Sequence, residues 1–212
     1  MSFKDQCIAL RKKDHSLLEI AKILKPLNVN WSCQLRPTAD LDRQTLDEFH
    51  DSGLNMIMWG VESGSQRVLD LIKKGTNVKD IQKVIIDSHN VGIKNVLYIM
   101  FGFPSETKDE FLQTIAFLKE NKDNIDLLSP TVFGLQHDAP MMKNLADYGI
   151  TNVNYEKRTI LEPKITYDVS SGLSQKEASE LKEKYKKTFD ILNKYPKEMN
   201  FFREHMQVLC KD

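Results

Sequence analysis

Three short segments concentrate the residues of this chain that could do chemistry: WGVESGS (59–65), FGFPSE (101–106) and FGLQHDAP (133–140). The first carries Glu62, a carboxylate able to accept from two hydroxyls at once. Its neighbours Ser63 and Ser65 could bind hydroxyl groups or cap a helix. In the second, Gly102 permits close backbone approach, Pro104 stiffens the turn behind Phe103, and Glu106 supplies another carboxylate. The third offers Gln136, His137 and Asp138, although a lone His more often has a structural or solvent-facing role. Arg36, at the end of NVNWSCQLR (28–36), could pair with a carboxylate of a ligand or bridge to Glu62. No metal-ligand spacing is visible. Cys7, Cys33 and Cys210 are far apart, and His15, His50, His89, His137 and His205 are scattered. Met56, Met58, Met100, Met141 and Met142 read as packing rather than ligands, and Trp31 and Trp59 as core, with Trp59 close enough to the third segment's end of the sheet to touch a ligand.

The candidate residues follow four short apolar stretches: 28–36, 54–62, 94–102 and 127–135. Alternation in them is weak, as in strands buried on both faces. Helical patterns separate them. Asp42 caps one that ends at Gly53; two more end at Gly75 and Gly92; Thr107-Lys108-Asp109-Glu110 is a capping box opening another. HSLLEIAKILK (15–25) precedes them as an amphipathic helix. Spacers this long are crossovers, so the sheet is parallel, either doubly wound or part of a (β/α) barrel. In both cases chemistry belongs at the C-terminal ends of the strands, where the three segments fall. Beyond about residue 150 the repeat stops. Residues 151–173 read as an extended connector, Ser174-Gln175-Lys176-Glu177 as a capping box opening a long charged helix to about Asn193, and NFFREHMQVL as a final short helix. The domain reading is therefore 1–150 for the α/β unit and 151–212 for a connector and helical extension.

Thirty basic and thirty acidic residues cancel, so no global field draws the chain to nucleic acid or to an anionic membrane. No apolar run reaches the length of a membrane span, the first sixteen residues lack a secretory apolar core, and the cysteine usage predicts a cytoplasmic setting. A charge-rich stretch at 176–197 reads as a solvated helix face, without the interleaved aromatics of an RNA-binding surface.

WGVESGSQRVLDLIKKG (59–75) and YIMFGFPSETKDEFLQTIAFLKEN (98–121), with NWSCQLRP (30–37) upstream and FGLQHDAPMMKNLADYGI (133–150) downstream, resemble the radical S-adenosylmethionine (radical SAM) enzymes, above all those with a cobalamin-binding domain ahead of the barrel. The likeness covers roughly residues 1–190. It implies an α/β fold, a partial TIM-like (β/α) barrel of parallel strands lacking its first two β/α units, with a C-terminal helical extension. It places Glu62 and Ser63 in the region that binds the ribose of S-adenosylmethionine, and Gly102, Phe103, Pro104 and Glu106 against the adenine. The cofactors it implies are S-adenosylmethionine, a [4Fe–4S] cluster in the full-length family, and cobalamin through an upstream domain. The sequence departs from the family in two respects: it contains neither CxxxCxxC nor the Gly-Gly-Glu segment that holds the methionine moiety in the family. Reductive cleavage of S-adenosylmethionine needs three thiolates on the cluster. The expectation is thus a fragment of a radical SAM enzyme, inactive alone and retaining at most weak cosubstrate binding. The alternative is a non-catalytic module. Both readings give strand 28–36 an open edge, which invites a complementary N-terminal fragment or self-association.

Overall fold

The computed structural model of the protein describes residues 17–137, 139–156, 164–200 and 205. Four parallel strands, β1 (Trp31–Leu35), β2 (Leu54–Glu62), β3 (Lys94–Phe101) and β4 (Leu127–Val132), lie side by side in chain order. The helices are α1 (Leu17–Leu24), α2 (Arg43–Asp51), α3 (Gln66–Leu71), α4 (Val78–Asn90) and α5 (Lys108–Glu120), followed by α6 (Gln175–Lys184) and α7 (Lys186–Leu192). Sheet and intervening helices form the α/β, partial-barrel arrangement expected from the sequence.

Local chemistry sets the helix starts. Asp42 accepts from the Thr45 N–H at 2.8 Å, Asn77 caps α4, and both Thr107/Glu110 and Ser174/Glu177 close reciprocal capping boxes. The core then sorts the two faces of the sheet. Trp31, Ile57, Trp59, Val61, Leu97, Ile99, Phe101 and Leu128 pack in one cluster with Leu46, Phe49, Ile81, Ile85, Phe111, Leu118 and Phe189 from the helices. These helices therefore cover one face. The opposite, inner face carries Gln34, Met58, Gly60, Tyr98, Met100 and Thr131; its lower end is closed where Tyr195 and Met199 meet Met56, Val96 and Leu127. Trp59 is fully buried on the helix side, its indole N–H donating to Asn95 Oδ1 at 2.7 Å, so it cannot reach a ligand at the strand ends.

The region after residue 150 differs from the sequence expectation. Instead of a connector, β5 (Ile150–Glu156) and β6 (Lys164–Val169) form an antiparallel pair. Ile150, Ile165 and Tyr167 bury against Leu135, which drives the pairing. A register shift between Thr151 and Asn154, with Asn152 at φ +48°, breaks the period-two pattern that would have revealed β5. The single charged helix is also two. Tyr185 ends α6, its N–H shared between Leu181 O and Lys182 O, and its ring packs on Phe111. The segment expected as a last helix, NFFREHMQVL, lies outside the described residues apart from Asn200 and His205. Asp138 is also outside them.

The two edges of the sheet are treated differently. On β4, the Leu128 N–H donates to Asn193 Oδ1 at 2.6 Å and its C=O accepts from Asn200 Nδ2 at 2.7 Å. Among the described residues no strand pairs beyond β1.

Candidate functional site

The bulge at the end of β2 is the first component of the site. Register shifts between Gly60 and Glu62, and Glu62 sits at φ +67°, a conformation that L-residues adopt only under constraint. The constraint is visible: Lys74 Nζ donates to Glu62 Oε1 at 2.7 Å, with both side chains about one-fifth exposed. A Cβ on Gly60 would lie 2.8 Å from that ammonium and 3.2 Å from the carboxylate oxygen. Gly60 thus opens a slot on the inner face in which the pair lies, beside Tyr98, its register partner on β3. Nearby, Gln34 Nε2 donates to the Tyr98 hydroxyl at 3.3 Å. Together they form a neutral-to-zwitterionic surface at the C-terminal ends of the strands.

The anticipated Arg36–Glu62 bridge is not formed. Arg36 is exposed just past β1, its Nη1 3.5 Å from where a Cβ on Gly75 would stand, and Lys74 takes Glu62 instead. Ser63 is buried and turned into the helix layer, its hydroxyl 3.1 Å from that of Thr114. Ser65 is the N-cap of α3, the capping role the sequence left open for it.

The second component is the FGFPSE turn after β3. Gly102 takes φ +71° and its N–H donates to Glu106 Oε2. Glu106 is fully buried, its Oε1 has no hydrogen-bond partner among the described residues, and burial pushes its carboxyl up to about 7. Glu106 therefore holds the turn from inside, facing neither solvent nor the inner face. Phe103 and Pro104 are buried as well, and the Phe103 ring meets Phe133 at 5.1 Å and Tyr148 at 6.0 Å, both edge-on. The apolar side-chain surface expected to face an adenine is thus already covered by protein. From behind, the C-terminal extension presses on the turn: Leu173 N–H donates to Glu106 O at 2.7 Å, and a Cβ on Gly172 would collide with Ser105 and Glu106 backbone at 2.5–2.7 Å.

Arg67, which no local pattern singles out, and Glu110, the last residue of the capping box, join the two components. Arg67 donates from Nε and Nη2 to the two oxygens of Glu110 at 2.5 and 2.6 Å, and from Nη2 to Ser105 O at 2.6 Å. The guanidinium beside Glu110 holds its carboxyl down at about 2. Their sequence separation of 43 residues leaves no local pattern to find. His137 and Gln136 are exposed beyond β4, with the His137 ring 6.1 Å from Tyr155, apart from the Glu62–Lys74 pair in the strand order.

A [4Fe–4S] cluster does not fit the described residues. Among the described residues no group of three His, Cys, Asp or Glu could hold a metal, and the described cysteine, Cys33, lies half-buried in β1, packed against the helix-side core. The Glu62–Lys74 pair does fit the polar parts of an amino-acid nucleoside, since it offers an anion and a cation side by side on an open face. No described helix is long and apolar enough to cross a membrane.

The chain is 25% identical over 182 residues to an uncharacterized methyltransferase of Pyrococcus horikoshii, covering 82% of this chain and 38% of that protein. It is 32% identical over 84 residues to the tRNA-2-methylthio-N(6)-dimethylallyladenosine synthase of Buchnera aphidicola, covering 38% of this chain and 18% of that one. The fold is similar to that of the radical S-adenosylmethionine methyltransferase TsrM from Kitasatospora setae, solved with cobalamin and a [4Fe–4S] cluster bound, with a TM-score of 0.54 at 15% identity over 76% of this chain and 34% of that one. The chain thus spans well under half the length of these relatives. The model of the Radical SAM superfamily matches residues 7–118, more than half of the 212, and the chain belongs to that superfamily.

Proposed function

We propose that these residues form the cosubstrate-binding side of a radical SAM enzyme, and that they do not cleave S-adenosylmethionine without thiolates supplied from outside the 212-residue sequence. The observation that carries this reading is the Glu62–Lys74 pair on the inner face, combined with a sequence that holds no CxxxCxxC and, among the described residues, no group of three ligands for a metal. In this reading Glu62 accepts from ribose hydroxyls, Lys74 offers its ammonium to the cosubstrate's carboxylate, and the backbone of the Gly102–Glu106 turn lies along the adenine. The cluster, when bound, supplies the electron that cleaves S-adenosylmethionine to a 5′-deoxyadenosyl radical. The residues of this chain bind and orient.

The relatives' names speak of methyl or methylthio transfer, and this supports the same reaction class for the assembled enzyme, with cobalamin held by an upstream domain. The edge of β1, unpaired among the described residues, supports a second element of the proposal: a complementary segment adds its strand there, or, failing that, two copies pair. Exposed Ile23 and Leu27, just ahead of β1, give such a partner apolar surface to cover.

Two measurements test the reading. Calorimetric titration of the full chain with S-adenosylmethionine should give weak but saturable binding that is lost in Glu62→Gln/Lys74→Gln. Anaerobic treatment with iron, sulfide and dithionite should yield no stable four-iron absorption and no 5′-deoxyadenosine. A reconstituted cluster with turnover would overturn the need for outside thiolates, and binding indifferent to the double substitution would remove the site.

A further inference from the structure

We infer that Arg67 is a positioning residue that fixes the backbone of the FGFPSE turn and ties it to the turn after β2. The inference rests on the cosubstrate-binding reading above for what the turn positions, but not for the positioning itself. Ser105 is held at φ +71°, where an L-residue is strained and glycine is not. Something must hold it there. Arg67 Nη2 donates to the Ser105 carbonyl at 2.6 Å and Nη1 lies 3.3 Å from the Ser105 hydroxyl. The same guanidinium grips both oxygens of Glu110, which is itself fixed by Thr107 N–H and Oγ1 at 2.8 Å and by the Ser65 hydroxyl at 3.2 Å. A planar fork of five donors can satisfy a bidentate carboxylate and a carbonyl together; an ammonium cannot.

The connections do not stop at Glu110. Ser65 caps α3, the helix that carries Arg67, and the two residues before it are anchored to α5: the Ser63 hydroxyl and the Gly64 N–H both meet Thr114 Oγ1, at 3.1 and 2.9 Å. A continuous seam of hydrogen bonds therefore runs from the β2 turn, through α5, to Ser105. Arg67 closes it from the outside, with about half of its side chain exposed. Its effect is to set the turn whose Gly102 N–H and Glu106 C=O bond to Glu106 Oε2 and Leu173 N–H.

The test uses the full chain in three forms: wild type, Arg67→Gln, and Arg67→Gln with Ser105→Gly. Glycine relaxes at a positive φ, so the second change should remove the need for the guanidinium. Amide hydrogen exchange at Gly102 and Leu173 should accelerate about tenfold in Arg67→Gln and return toward wild type in the double variant. Affinity for S-adenosylmethionine, read by calorimetry, should fall about tenfold and recover in parallel. Unchanged exchange at both amides in Arg67→Gln, or exchange in the double variant as fast as in Arg67→Gln, overturns the inference. If the wild type binds no S-adenosylmethionine, the functional reading fails while the exchange data still decide the positioning role. Should Arg67→Gln not fold, Arg67→Lys keeps the charge without the fork. Intermediate exchange is then expected, and wild-type exchange would overturn the proposal.

Discussion

Gly102 and Glu106 hold each other within one turn: the Gly102 N–H donates to Oε2, while Oε1 is buried without a hydrogen-bond partner among the described residues. One oxygen has a reason to be ionised and the other has none. Burial dominates, lifting the carboxyl from 4.5 to about 7, with Glu110 adding to the rise and Arg67 opposing it. Near neutral pH the turn therefore sits at the midpoint of its own titration.

The sign of the resulting pH dependence follows from linkage. Between about 4.5 and about 7 the folded chain keeps a proton on Glu106 that the unfolded chain has lost, so this group's contribution to stability declines as pH rises through that window. Glu106→Gln, which can still accept from Gly102, removes the decline. Urea unfolding midpoints should show the variant gaining on wild type between pH 5 and pH 8, by roughly 2 kcal/mol. A constant difference across that range would mean that Glu106 ionises freely in the fold.

Glu110 titrates the other way. Arg67 and the Thr107 groups hold it at about 2, so its stabilisation is complete above the unfolded value of 4.5 and is lost as pH falls toward 2. Because Arg67 is half-exposed, solvent screening trims the effect. Glu110→Gln should cost about 1–2 kcal/mol at pH 7, and the gap to wild type should close below pH 3. Thermal melts over that range, at constant ionic strength, measure it.

Gly172 and Gly102 report how firmly the C-terminal extension is joined to the α/β unit. A Cβ on Gly102 would stand 2.6 Å from the Ala178 Cβ on α6, and one on Gly172 would overlap the Ser105–Glu106 backbone, where nothing flexible can yield. Both residues also have positive φ. Gly172→Ala should destabilise by about 3 kcal/mol or more, with protease cutting appearing between β6 and α6. Wild-type resistance to the protease would show that the extension docks by other contacts.

The parts of this fold legible from sequence are those written in local spacing. Asp42, Thr107 and Ser174 announce their helices because the cap and the amide it serves are three residues apart. The four strands are legible as apolar runs between such helices. Face assignment is harder, because both faces of β2 carry large apolar side chains and only packing separates Ile57, Trp59 and Val61 from Met56 and Met58. Within the candidate site, Glu62 and the Gly102–Glu106 turn could be named from sequence because each lies where an apolar run gives way to turn residues. Lys74 and Arg67 could not, because they matter through partners 12 and 43 residues away. The β5–β6 pair escaped because a bulge cancels its alternation.

Gly60 gives the most direct probe of the inner face. Its missing side chain is the space that the Lys74 ammonium uses to reach Glu62. Unlike the collisions at Gly102 and Gly172, this one is with the far end of a flexible lysine, which can swing away at little cost. Gly60→Ala should therefore change stability by less than about 1 kcal/mol while breaking the ion pair, which half-buried partners make worth about as much. If Glu62 and Lys74 bind the cosubstrate as a pair, affinity for S-adenosylmethionine should drop by about fivefold to tenfold, and Lys74→Ala should produce a similar loss by itself. The two changes act on one contact, so their combination should add little further. Calorimetry on the two single variants and the double, beside their melting curves, measures both quantities. Losses that add in full would assign Gly60 a separate role in the inner face, and an unchanged affinity in Gly60→Ala would show that the pair need not be intact for binding.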